Sequence, residues 1–283
     1  MQIAILVLII VSMSVQSVAK KAYNQKMGEK GALLFTAVSV LAAAGFFICA
    51  GERPFAFSKE WLSYALWFAF FYGLSAVASF IAIQCGSLSL TSLAVSYSLI
   101  IPTIYGLIFL QEPSGVWLYL GIILLMISLV LINAKDGDAR ISLKWAIWTF
   151  LAFFGNGACT TVQKVQQLVF DGAAKNEFMI VAMLAVSVVL LGLSFATERK
   201  DWVFCLKKGA GHMVFSGVVN GVMNLFVMIL AGMMAASVMY PLISAGGILL
   251  TALISRVFYG EKLTARQNIG LLLGVGAVVF LNI

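Results

Sequence analysis

The chain has 283 residues, 62% of them apolar and 10% charged, with a mean hydropathy of +1.05 and a formal net charge of +7. Soluble globular chains carry about 25% charged residues, so this composition excludes a water-facing globular surface and fits a bilayer. The positive balance is loop bias beside a membrane rather than a nucleic-acid surface, because most of the charges sit within a few residues of an apolar run.

Ten apolar spans are expected in chain order, at about 2–22, 31–50, 61–84, 88–110, 116–133, 143–164, 177–197, 212–231, 235–258 and 267–283. The first lacks a basic stretch before it and a small-residue cleavage pattern after it, so it reads as a mature helix and not a signal peptide. Two charge-free gaps support the pairing of spans, because ionisable groups punctuate membrane helices. They run for 51 residues between Glu60 and Glu112 and for 43 between His212 and Arg256. Each holds two spans joined by a minimal turn, near Cys85-Gly86-Ser87 and near Gly232-Met233. Continuous apolar runs exclude a β-barrel, which needs alternating segments of about ten residues.

An internal repeat organises the spans. A shift of 149 residues places Leu93 on Leu242, Phe109 on Phe258, Glu112 on Glu261, Gly121 on Gly270 and Asn133 on Asn282. The expected units are residues 1–133, a polar linker at 134–142, and residues 143–283. Five spans is an odd number, so the second unit enters the bilayer from the opposite side and the copies are inverted. The fold class is therefore an all-α integral membrane protein, with ten transmembrane helices in two inverted five-helix repeats. In such architectures a solute site lies near the midplane between the repeats.

Polar residues recur along the spans at helical spacing. Ser12, Gln16 and Lys20 share one face of the first span; Asn156, Thr160 and Lys164 repeat the pattern 144 residues later. Ser216, Asn220 and Asn224 do so in the eighth, and Ser75 and Ser79 answer them in the third. Polar groups facing lipid would go unpaired, so these faces are expected to turn inward and line a cavity. Helix-to-helix hydrogen bonding is the plainer alternative for the hydroxyls, and snorkelling to the headgroups for Lys20 and Lys164. Pro102 and Pro241 bend the fourth and ninth spans. Pro241 precedes Ser244-Ala245-Gly246-Gly247, so the ninth span is a gate or a static kink. Tyr97 and Tyr240 could close the cavity with aromatic walls or serve as packing.

These residues resemble the drug/metabolite transporter superfamily, in its EamA-like branch. The phrase Gly260-Glu261-Lys262-Leu263-Thr264 between the ninth and tenth spans matches the branch, as does Pro241 placed 20 residues before Glu261. The first-half copy, Gln111-Glu112-Pro113-Ser114, keeps only the Glu, and Ser92 stands where a proline would match. The resemblance implies that spans 1 to 4 and 6 to 9 enclose the cavity while spans 5 and 10 brace it. Lys20-Lys21-Ala22-Tyr23-Asn24 is similar to a stretch of the triose-phosphate translocators, in which a first-helix lysine faces an anionic substrate; Lys20 or Lys21 would inherit that role. The basic pair those translocators carry in the ninth helix is missing, which favours a carboxylate or zwitterion over a phosphate.

Small multidrug exporters of the superfamily use a first-helix glutamate, yet no acid lies between Met1 and Glu29. An organic-cation or multidrug exporter is thus the alternative to an amino-acid or carboxylate carrier working by alternating access. The cysteines at 49, 85, 159 and 205 form no CxxC pair, and the lone His212 lacks metal-ligating neighbours. No cofactor, metal or enzymatic chemistry is expected. The expected partners are the lipid bilayer and a small-molecule solute, and the expected location is a cell membrane such as the bacterial inner membrane. Ten helices suffice for a working monomer, and a dimer is compatible. Fourteen of the 18 Lys and Arg fall in one set of alternate loops, which puts both termini outside the cytoplasm, whereas the resemblance puts both inside.

Overall fold

The computed structural model describes residues 1–28, 30–51, 57–85, 88–113, 115–133, 142–259 and 264–280. These form eleven α-helical segments and a single 3-10 turn, with no strand among the described residues. In order they are α1 (Gln2–Met27), α2 (Ala32–Ala50), α3 (Lys59–Cys85), α4 (Leu88–Tyr97), α5 (Ile100–Ile108) and α6 (Val116–Asn133). Then come α7 (Leu143–Val169), α8 (Lys175–Glu198), the 3-10 turn Arg199–Asp201, α9 (Trp202–Ala231), α10 (Ala236–Tyr259) and α11 (Ala265–Phe280). The linker expected at 134–142, apart from Ser142, lies outside the described residues, as do Gly260-Glu261-Lys262-Leu263 and the Gly86-Ser87 turn.

Three boundaries differ from the sequence expectation, each for a local reason. The fourth span is not continuous but breaks at Ser98-Leu99 into α4 and α5. Pro102 has no N–H for the Ser98 carbonyl and its ring crowds that carbonyl, so the α-helix cannot run through. The eighth span begins at Trp202 rather than 212, which puts His212 inside a helix. Its first turns hide Cys205 and Gly209 against Tyr23 while Lys207 and Lys208 stay exposed, so charges that read as a loop line one face of a helix. The sixth span continues past residue 164 to Val169, so Lys164 is interior to α7.

Packing pairs α3 with α7, α1 with α9, α2 with both α8 and α9, α5 with α10, and α6 with α11. The largest buried cluster lies where α2, α3 and α8 meet, around Phe47, Phe68, Phe178 and Met183. α2 begins at Gly31 without a side-chain cap of its own. Glu198, at the end of α8, supplies one: its carboxylate accepts the Leu33 and Leu34 amides at 3.1 and 2.9 Å.

Large apolar side chains face outward along most helices, including Val188 at 69% and Phe150 at 62% exposure. Water would penalise such a surface and acyl chains would not. Four helical stretches, Gln2–Met27, Ala32–Ala50, Lys59–Cys85 and Lys175–Ala231, are long and apolar enough to cross a membrane, the last holding both α8 and α9. Val188→Arg places a charge at the middle of α8 on this outer face, at a cost of about 3 kcal/mol for insertion. We expect it to deplete the protein from the membrane fraction while Val188→Leu leaves the yield unchanged, as read by quantitative immunoblot.

Candidate functional site

Two cavities adjoin between the helices. The inner one, of about 310 Å³, is walled by α1, α4, α7, α9 and α10. Its walls include the fully buried Ile9 and Tyr240 and the buried Gln163 and Asn224. The outer cavity, of about 300 Å³, is walled by α1, α2, α3 and α9 and includes the exposed Ser17 and Lys20. Met13 and Met223 line both, so they form the partition between the two.

Helical spacing explains why the polar groups converge. Asn156, Thr160 and Gln163 stand at i, i+4 and i+7 on α7, Asn220 and Asn224 at i, i+4 on α9, and Gln16 faces them from α1. Their carboxamides are chained. Gln163 Nε2 donates to Asn224 Oδ1 at 3.4 Å, Asn224 Nδ2 to Asn220 Oδ1 at 2.9 Å, and Asn220 Nδ2 to Gln16 Oε1 at 3.2 Å. Gln16 Nε2 then reaches the Met223 sulfur at 3.4 Å. In a medium without water this chain satisfies groups that would otherwise be costly orphans. Asn156 Nδ2 donates to Ser98 Oγ at 2.6 Å, which ties α7 to the break between α4 and α5.

The predicted residues divide into three groups. Asn156, Thr160, Asn224, Tyr240 and Ser244 line the inner cavity, and Gln16, Lys20 and Asn220 the outer one. Thr160 Oγ1 bonds within its own helix, to Asn156 O and Gly157 O, while its carbonyl accepts Tyr240 OH at 3.1 Å. Ser244 Oγ lies 3.5 Å from Ser96 O. The second group lies away from both cavities: Ser75 Oγ donates to Ala152 O at 2.9 Å, a packing bond between α3 and α7, and Ser79 and Lys21 line neither. Tyr97, with Pro241, lines neither but borders a crevice of about 20 Å³, large enough only for a water, that shares Ser96, Leu99 and Ser244 with the inner cavity, and its hydroxyl donates to Met126 O at 2.6 Å. Pro102 opens α5 rather than bending a continuous helix, and Gly246 and Gly247 pack against Ile10 and Met13, where an added methyl would crowd α1.

Lys164 forms the third group. It is 3% exposed and its ammonium donates to Ala231 O and Met234 O, both at 2.7 Å, at the end of α9. It neither snorkels nor borders either cavity. Two residues further on, Glu112 from beyond α5 accepts the Ala236 and Ser237 amides of α10 at 2.7 and 2.8 Å. The α9–α10 turn thus has a cation on its carbonyl end and an anion on its amide end, each matched to the local helix dipole. Lys164→Met leaves two buried carbonyls without partners, a loss of about 1–3 kcal/mol. We expect it to lower the Tm of the detergent-solubilised protein by about 2–5 °C, with Lys164→Arg partly restoring it; an unchanged Tm would remove the clamp role.

Sequence reasoning missed Gln163, Met13, Met223 and Ser98. Gln163 carried a signal, since it lies seven residues after Asn156 on the polar face, but the methionines read as apolar filler. Among the described lining residues no Asp or Glu borders either cavity, and Lys20 is the one charged group. Among the described residues no group of three His, Cys, Asp or Glu is placed to hold a metal ion.

Residues 143–283 match the model of the EamA-like transporter family. A solved crystal structure, described only as that of a protein, superposes with a TM-score of 0.75 over 99% of this chain and 96% of its own, at 14% identity. At that identity the likeness shows the fold alone. A search of curated proteins returned no match. With the family's signature over the whole second half and a bundle of lipid-suited helices around a polar interior, the chain is a multi-pass membrane protein of the EamA-like transporter family.

Proposed function

We propose that this protein carries a small amino acid or related carboxylate across a cell membrane, such as the bacterial inner membrane, by alternating access. The observation that carries the reading is the charge pattern of the two cavities: one lysine, Lys20, at the exposed cavity and no acidic group on the described lining of either. A cation alone at the mouth of a low-dielectric path attracts anions and repels other cations. The carboxamides beyond it offer both donors and acceptors to a polar solute.

The architecture behind the reading is ten spans in two inverted repeats, residues 1–133 and 143–283, with α4 and α5 acting as one broken span. What supports it is the packing. Exchange of the first five spans for the second five turns the α3–α7 pair into α9–α1 and the α2–α9 pair into α8–α3; the α2–α8, α5–α10 and α6–α11 pairs map onto themselves. Gating at α10 is supported by Pro241, since the proline leaves a carbonyl of that helix unbonded. One unit of this size is sufficient as a monomer. The methionine partition favours the second reading, a multidrug exporter, because thioethers adapt to varied shapes.

Proteoliposomes separate the two. Uptake of radiolabelled amino acids and organic anions is expected, with quaternary amines excluded. Lys20→Met should reduce anion flux by about tenfold or more, with Lys20→Arg retaining most of it. Flux of quaternary amines with no amino-acid or carboxylate uptake would replace this reading with the exporter.

A further inference from the structure

Resting on the carboxylate reading above, we infer that the inner cavity is the specificity pocket: it takes the uncharged side group of the solute and rejects a charged one. Three observations support this. The first is the lining, in which the polar side chains are carboxamides and hydroxyls and the rest are apolar, so a charge inside the pocket meets no counter-charge on its described walls. An ion placed in such surroundings loses its hydration without gaining an ion pair. The second is the state of the amides. Asn224 spends both Nδ2 hydrogens on Asn220, one on its carbonyl oxygen at 3.0 Å and one on Oδ1 at 2.9 Å, and its own oxygen accepts Gln163. Asn224 is thus engaged within the chain and none of its members carries a formal charge, so the wall they form is neutral.

The third is the partition. Met13 and Met223 belong to both cavities, and Gln16 holds the Met223 sulfur, so the passage between lysine and pocket is set by two flexible thioethers. A solute whose carboxylate stays at Lys20 must send its side group between them. The pocket's 310 Å³ corresponds to about ten waters at liquid density, room for a leucine- or glutamine-sized group.

The experiment is competition for uptake into proteoliposomes of the full chain, with α-amino acids that share one head and differ in the side group: leucine, methionine, glutamine, aspartate, lysine and tryptophan. The wild type is expected to take the neutral, medium-sized members with at least about tenfold higher kcat/KM than aspartate or lysine. Asn224→Asp, which keeps the shape and adds a charge, should raise acceptance of lysine by about tenfold and leave aspartate excluded. Met223→Ala, which opens the partition, should admit tryptophan while keeping the discrimination against charge. Melting temperatures of the solubilised variants identify any that fail to fold, and Met223→Ala keeps the test standing if Asn224→Asp does. Equal uptake of aspartate, lysine and leucine by the wild type overturns the inference but leaves the carboxylate reading intact. So does an unchanged preference in two folded variants. A wild type that moves no member of the panel overturns both.

Discussion

The turn between α9 and α10 is held from two sides by opposite charges that reach it from other helices. Lys164 of α7 covers the carbonyl end of α9 and Glu112, just beyond α5, covers the amide end of α10. Helix ends expose unpaired backbone groups, and in a bilayer there is little water to satisfy them. The clamp therefore does what solvent does in a soluble protein. It also fixes the position of Tyr240, which starts the second turn of α10 and closes the inner cavity through its bond to Thr160. Glu198 does the same for the start of α2 at the other end of α1, so each end of the α1–α9 pair carries one carboxylate cap on a neighbouring helix.

Within that frame the carboxamide chain is the bundle's internal cross-link. Gln16, Asn220, Asn224 and Gln163 join α1, α9 and α7 without a single formal charge. Individually, interhelical hydrogen bonds in membranes contribute only about 0.6 kcal/mol. A continuous chain contributes specificity as well, because shifting one helix by a turn would orphan several amides at once. The bulk around the chain is apolar, so the polar interior is narrow and its chemistry depends on a few side chains.

Much of the helix content was legible from the sequence because membrane helices need long apolar runs and the charge gaps mark their ends. Asn220 and Asn224 were legible as a pair because four-residue spacing is a local property of one helix. Lys164 was not legible, since its acceptors are carbonyls 67 and 70 residues away and no side-chain pattern advertises them. Lys20 and Lys164 occupy equivalent places in the repeated stripe, yet one is exposed at a cavity and the other is buried in a cap. The start of α9 was misread because Lys207 and Lys208 look like a loop until Cys205 and Gly209 are seen against Tyr23. Pro102 did announce a disturbance in the fourth span, but the contact that ties the break to the rest of the bundle, Asn156 Nδ2 donating to the Ser98 hydroxyl from α7, is not local to that span.

The two-sided clamp has a mechanical corollary. Because one charge grips α9 and the other grips α10, moving either helix away from the turn leaves an ion without its backbone partners. The turn is therefore tied at both ends by four short bonds, and opening that end of the bundle has to break them.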